Sequence, residues 1–149
     1  AVLVCEAMGT GVPAPGLALA AGTELLRTGL ASPGSGLSPL VSAALAVQAL
    51  GGELPAASVC TVVDGCRVPA GGFRAHARAA AADLLSTAVG AYALCRLGSP
   101  LGGAAAAATA RFVEGLWDAS GGFRGSADDP MPDCEYTFYA LLALGALEP

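Results

Sequence analysis

The sequence predicts an all-α chain assembled from helical hairpins, about three of them. Three observations carry that expectation. A Gly-Gly-Phe-Arg tetrad occurs twice, as Gly71-Gly72-Phe73-Arg74 and as Gly121-Gly122-Phe123-Arg124. Each tetrad is followed, after a short interval, by an aspartate that opens an apolar run. The composition is rich in Ala, Leu and Gly, with aromatics at only 5%. Ala favours helix most strongly, and small side chains let helices approach closely.

The repeat is more than the tetrad. At the same offset of 50 residues, Asp83 falls on Asp133, Thr87 on Thr137, Leu94 on Leu144 and Leu97 on Leu147. Ten of 27 aligned positions are identical, where chance in so biased a composition gives roughly three.

The runs after the tetrads read as the second helices of the hairpins. Asp133 suits an N-cap, and Glu135 suits the positive end of the helix dipole. Asp83 holds the same place in the earlier copy. A weaker third copy starts at Ser38-Pro39, with Ser as N-cap and Pro at the first helical position, and continues over 40–50 to Gly51-Gly52. These helices are apolar or small nearly all round, which predicts burial on every side.

The first helices look different. The stretch 101–117 is Ala-rich, then carries Phe112, Val113, Leu116 and Trp117, with Arg111 and Glu114 on one face. Residues 16–27 read the same way, with Glu24 and Arg27. Between 54 and 67 the pattern is poor: Val59, Thr61, Val62 and Val63 are β-branched, and a short helix is expected. The units are therefore 16–50, 54–97 and 102–147, within a single domain over 1–149. Residues 1–8 resemble the end of an earlier second helix. That predicts a chain beginning inside a repeat, processed at its N-terminus or part of something longer.

Bulk properties narrow the function. Hydrophobic residues make up 54% and charged residues 13%, so a packed core is expected and disorder is not. The net charge of −5 comes without a basic tract, which disfavours nucleic acid. No run reaches the roughly 18 apolar residues that a spanning helix needs, and residues 1–8 lack a basic leader. Cys5, Cys60, Cys66, Cys95 and Cys134 are odd in number and irregular in spacing, so neither a disulfide framework nor a zinc ribbon is expected. Reduced, mostly buried thiols and a cytoplasmic location fit this usage.

The stretch Trp117-Asp118-Ala119-Ser120-Gly121-Gly122-Phe123-Arg124-Gly125, continued by Asp133-Cys134-Glu135-Tyr136-Thr137-Phe138-Tyr139, resembles the repeats of protein prenyltransferase β subunits and of squalene and hopene cyclases. The resemblance covers roughly 54–147 and, more weakly, 16–50. It implies an α/α toroid in which inner helices line a central apolar cavity and outer helices surround it. About three hairpins would make a partial ring, which implies self-association or further repeats.

The same resemblance implies sites. In prenyltransferases an Asp-x-Cys pair at the start of an inner helix, with a later His, holds a zinc that activates a thiolate. Here that place reads Pro132-Asp133-Cys134-Glu135-Tyr136. Counted from the turn, Cys134 falls on the zinc cysteine and Pro132 on the aspartate. Aligned on Asp133 and Tyr136, Glu135 stands where the cysteine would be. Asp133, Cys134 and Glu135 are the metal candidates, and zinc is the metal implied. The single histidine, His76, precedes them. Asp64-Gly65-Cys66 spells Asp-x-Cys but comes before its tetrad, where the spelling is coincidental. Asp128-Asp129-Pro130-Met131-Pro132-Asp133 resembles an acidic diphosphate motif, but its prolines break the helix that would aim the carboxylates. A solvated loop with an N-cap is expected. Basic residues grip the diphosphate in this family, so Arg74, His76, Arg78 and Arg124 are the diphosphate candidates.

Three functions follow. One is a prenyltransferase- or terpene-cyclase-like protein that binds an isoprenoid diphosphate in its apolar cavity. Another is a non-catalytic helical-repeat scaffold for protein association. The third is a protein that binds another apolar ligand without chemistry. The tetrad itself has a conformational reading: glycines allow close backbone approach, Phe73 and Phe123 plug the junction between two helices, and the arginines cap carbonyls or face water.

Overall fold

The structure, a computed structural model, describes residues 8–32 and 34–148. The helix end expected over 1–8 therefore lies outside the described residues, except for Met8, which sits in a turn. The described residues form six α-helices and one two-stranded sheet. The chain is mostly helical, in keeping with the all-α class.

The first pair is α1, Pro15–Ala31, and α2, Leu37–Ala49. Proline opens α1 where a missing amide hydrogen has no intrahelical partner anyway. The start of α2 differs from expectation. Gly36, not Ser38, is the N-cap, and Pro39 stands inside the first turn. It is tolerated there because the first four amides of a helix have no partner within it. Leu37, which now begins the helix, donates its amide to the Ala75 carbonyl at 2.7 Å.

The second pair is α3, Ala56–Asp64, and α4, Leu84–Arg96. Helix α3 forms in spite of its β-branched residues because Val59 and Val63, one turn apart, are fully buried. Tertiary burial outweighs a few tenths of a kcal/mol of propensity at each position. The third pair is α5, Gly103–Glu114, and α6, Cys134–Leu147. Thr109 and Val113 hold the buried positions of α5, 50 residues after Val59 and Val63.

The helix expected through Trp117 stops at Glu114. Trp117–Asp118 forms β1 and pairs antiparallel with β2, Gly122–Phe123. Trp117 lies opposite Phe123, with the rings edge-on at a centroid distance of 5.1 Å. A single bridge, Arg67 to Phe73, does the same in the second pair.

Helices α2, α4 and α6 form a row, α4 packing against both neighbours. Helix α1 packs on α2, α3 on α4 and α2, and α5 on α6. One core cluster joins α1, α2 and α3 to Phe73, Ala93 and Leu94. The other gathers Leu84 and Ala88 of α4 with Val113, Leu116, Phe123, Ala140 and Ala143.

Burial on every side holds for most of α2 and α4 but not for α6. Only Ala140, Ala143 and Ala146 of α6 are buried, while Phe138 is 59% and Leu141 63% exposed. Among the described residues no further pair packs on the outer side of α6, as α6 itself packs on α4. The thiols also depart from expectation: Cys66 is buried and Cys60 partly so, but Cys95 and Cys134 are exposed. No helix of the described residues is long and apolar enough to cross a membrane.

Candidate functional site

All of the candidate residues lie in or just after the two Gly-Gly-Phe-Arg loops, and the loops share one hydrogen-bond scheme. The Thr87 hydroxyl accepts from the Phe73 amide at 2.9 Å and donates to the Asp83 carbonyl at 2.6 Å. Thr137 does the same for Phe123 at 3.1 Å and Asp133 at 2.7 Å. The Asp83 carboxylate caps α4 by accepting from the Ser86 amide at 2.7 Å, and Asp133 caps α6 through the Tyr136 amide at the same distance. The Arg74 and Arg124 amides donate to the Cys66 and Leu116 carbonyls, both at 2.9 Å. Each loop is thus pinned to its own two helices, and each phenyl ring is driven into the junction between them.

One pair of positions is exchanged between the copies. The loop residue after the arginine is Ala75 in one and Gly125 in the other, and the helix residue three after the capping aspartate is Ser86 in one and Tyr136 in the other. Tyr136 lies directly over Gly125, where a β-carbon would collide with the ring. The larger side chain on the helix requires the smaller one in the loop. Partial burial pushes the Tyr136 phenol up, and the carboxylates of Asp129, Asp133, Glu135 and Asp83 add to that by repelling a phenolate.

The candidate cations occupy separate surroundings. Arg74 stands beside Cys66, whose thiol is pushed up by burial and held back slightly by the guanidinium charge. Its Nε is buried without a hydrogen-bond partner. Arg124 sits in the equivalent place, its Nε 3.7 Å from Asp118 Oδ2, an ion pair longer than a hydrogen bond. The Ser120 hydroxyl and amide hold the Asp118 carboxyl below its ordinary value, and Arg124 adds a smaller contribution. His76 is half-buried and its Nδ1 accepts from the Arg78 amide at 3.3 Å, while the Arg78 side chain is exposed. No common partner joins Arg74, His76, Arg78 and Arg124 among the described contacts.

The metal candidates do not fit zinc. One carboxylate oxygen of Asp133 is committed to the helix cap. Asp133, Cys134 and Glu135 are consecutive at a helix start, where successive side chains fan out by about 100° around the axis. Among the described residues no three His, Cys, Asp or Glu side chains are grouped to hold a metal ion. Asp129, expected in a solvated loop, turns its carboxylate to the Gly125 and Met131 amides at 3.3 and 3.5 Å. That is a loop-closing role.

The repeating threonine is the residue that sequence reasoning passed over. Thr87 and Thr137 were visible as identical positions, and a hydroxyl placed four residues after a capping aspartate was the available signal for their role.

Compared with protein-family models, with curated proteins and with solved structures, the chain matches none.

Proposed function

We propose that this chain is a helical-repeat scaffold of the α/α toroid type, in which stacked hairpins present surfaces for protein association. The observation that carries the proposal is a contact between units that occurs twice. The first amide of α2, on Leu37, donates to the Ala75 carbonyl of the next unit's loop at 2.7 Å. The first amide of α4, on Leu84, donates to the Gly125 carbonyl of the unit after that at 2.8 Å. Each unit supplies what the preceding one lacks, which is how an array of hairpins that cannot bury their faces alone gains stability.

A second reading, binding of an isoprenoid diphosphate, draws on one observation. A cavity of about 230 Å³ between α1, α3 and the first loop is lined by Leu30, Val62 and Cys66 together with Ser32 and Ser35, and reaches Ala77. Ala77 lies between His76 and Arg78. In this reading the cavity takes the apolar tail, and Arg78 with Arg74 takes the diphosphate.

Thermal unfolding with farnesyl and geranylgeranyl diphosphate, with and without added zinc, separates the two. A scaffold shows no shift in Tm. A saturable rise that disappears in Arg74→Ala/Arg78→Ala would replace the scaffold reading with the ligand-binding one.

A further inference from the structure

The C-terminal face differs from the matching internal face: among the described residues no helix covers Gly121, while Gly122, without the positive φ of Gly72, has Pro132 of its own unit where Gly72 meets Phe112. In the second unit, Gly71 and Gly72 are covered by α5 of the third. A β-carbon on Gly71 would run into the Ala108 carbonyl and stand 3.1 Å from Phe112 Cβ. One on Gly72 would stand 2.7 Å from Phe112 Cδ1. The pair Ala108 and Phe112, one helical turn apart, therefore lets a helix backbone approach the loop and sets a large apolar side chain beside Thr87. In the third unit a β-carbon on Gly121 would meet nothing within 4 Å. A cavity of about 340 Å³ opens there, lined by Gly121, Pro132, Asp133, Cys134 and Thr137. Beside it run Phe138 and Leu141, 59% and 63% exposed, at the positions of Ala88 and Ala91, which the third unit buries.

The N-terminal face offers the matching part. In α5 the residues buried against its own pair are Thr109 and Val113, and the residues that reach the preceding loop come one position earlier. In α1 the buried residues are Gly22 and Leu26. One position earlier stand Ala21 and Leu25, a small residue and a large apolar one at the same spacing. Ala21 is exposed and Leu25 is 63% exposed. Leu17, a further two turns back from Leu25 on the same stripe, is 74% exposed.

We propose that two copies of this chain associate head to tail, α1 of one copy docking on the open face of the other, with its Ala21 over Gly121 and its Leu25 in the cavity beside Thr137. The proposal rests on the scaffold reading and names its partner. The occupant is a second copy because α1 carries the small and large residues of α5 in the same register, both uncovered. The contact is heterologous, using different surfaces on the two copies, so it propagates until the array closes.

The test uses Leu25→Glu, which spoils the head, and Leu141→Glu, which spoils the tail. Both positions are exposed, so the fold is retained, as circular dichroism will verify. Should either variant fail to fold, Leu25→Ser and Leu141→Ser replace them. Light scattering coupled to size exclusion is run across the micromolar range. The wild type is expected to associate in whole multiples of the monomer mass. Each variant alone is expected to associate about tenfold more weakly or worse, because a carboxylate is placed in an apolar contact. An equimolar mixture of the two is expected to form a one-to-one dimer, since one intact tail meets one intact head.

A wild type that stays monomeric overturns the proposal. So does a Leu25→Glu protein that associates like the wild type, which would point to a symmetric contact through α6. So does a mixture that remains monomeric. A prenyl diphosphate shift would remove the scaffold reading without altering any of these masses. A monomeric wild type would remove the head-to-tail contact while leaving association with other proteins intact.

Discussion

The loop of the second unit and the loop of the third are built from the same hydrogen bonds and live in different surroundings. The first is sealed: Phe73 is fully buried, and Gly71 and Gly72 lie against α5. The second is sealed on one side only: Phe123 is 9% exposed, Thr137 is partly buried and Gly121 faces open space. Local sequence sets the loop conformation in both. The neighbouring unit decides how much each interaction is worth, because desolvation scales the cost of breaking it.

The sharpest way to break that comparison is to remove the phenyl rings. Phe73→Ala is expected to cost about 3–5 kcal/mol, the usual range for a fully buried aromatic. Phe123→Ala is expected at or below the lower end of that range, since its ring is supported by the exposed Trp117 on one side. Urea denaturation of both variants measures the difference, and equal losses would show that the covering helix contributes nothing.

Next come the threonines. Thr87→Val leaves the Phe73 amide buried without an acceptor and is expected to cost about 1–3 kcal/mol. Thr137→Val should cost less, because water has access to the partly buried Phe123 amide. A larger loss at Thr137 would invert the argument.

The caps sharpen the comparison from the other direction. Asp83→Ala and Asp133→Ala should each cost about 1 kcal/mol, and Asn should restore most of it. Both carboxylates accept from the amide three residues on at 2.7 Å, and Asp83 also accepts from the Ser86 hydroxyl at 2.8 Å, so the loss at Asp83 is expected to be slightly the larger.

The smallest expected effect is electrostatic. Hydrogen bonds from Ser120, with Arg124 nearby, depress the Asp118 carboxyl in the folded state. A depressed folded value contributes stability that is complete above the unfolded carboxylate's ordinary value. It is lost as pH falls through the lower folded value. Asp118→Asn should therefore lower Tm slightly in the neutral region, leave it unchanged in acid below the folded carboxyl's value, and so flatten the acid limb of a Tm-against-pH curve. The second unit has Val68 at that position and no such contribution.

What the sequence made legible follows from where its information is local. The offset between Gly71 and Gly121 located both loops, both aspartate caps and both buried phenylalanines, because each depends on residues close in the chain. Helix α3 was obscured by Val59, Thr61, Val62 and Val63, whose strand preference is overruled only by burial against α2 and α4. Ser38-Pro39 has the form of a helix start. The start lies at Leu37 instead, where the Ala75 carbonyl, far along the chain, accepts its amide.

Trp117 continued an apolar pattern and so read as helix, although pairing with Phe123 ends it in a strand. The exposure of Phe138 and Leu141 was not readable at all. Their counterparts in α4 are covered by another unit, and only the arrangement of units tells which copy lacks that cover. The candidate site was legible as a set of residues and not as an assembly. Arg74, His76, Arg78 and Arg124 were chosen by charge, which says nothing about whether separate loops bring them together.

The bond from Leu37 to Ala75 also bears on biosynthesis. During translation the first hairpin leaves the ribosome with the leading amide of α2 still lacking the acceptor it will have in the folded chain. That acceptor is made 38 residues later, and the Gly125 carbonyl that receives the Leu84 amide is made 41 residues after Leu84. Order in this chain is therefore completed backwards, each newly emerged loop finishing the helix before it. A nascent chain halted before residue 75 should show α2 forming with a frayed first turn, and one halted far enough beyond Thr87 for the whole loop to have left the ribosome a closed one.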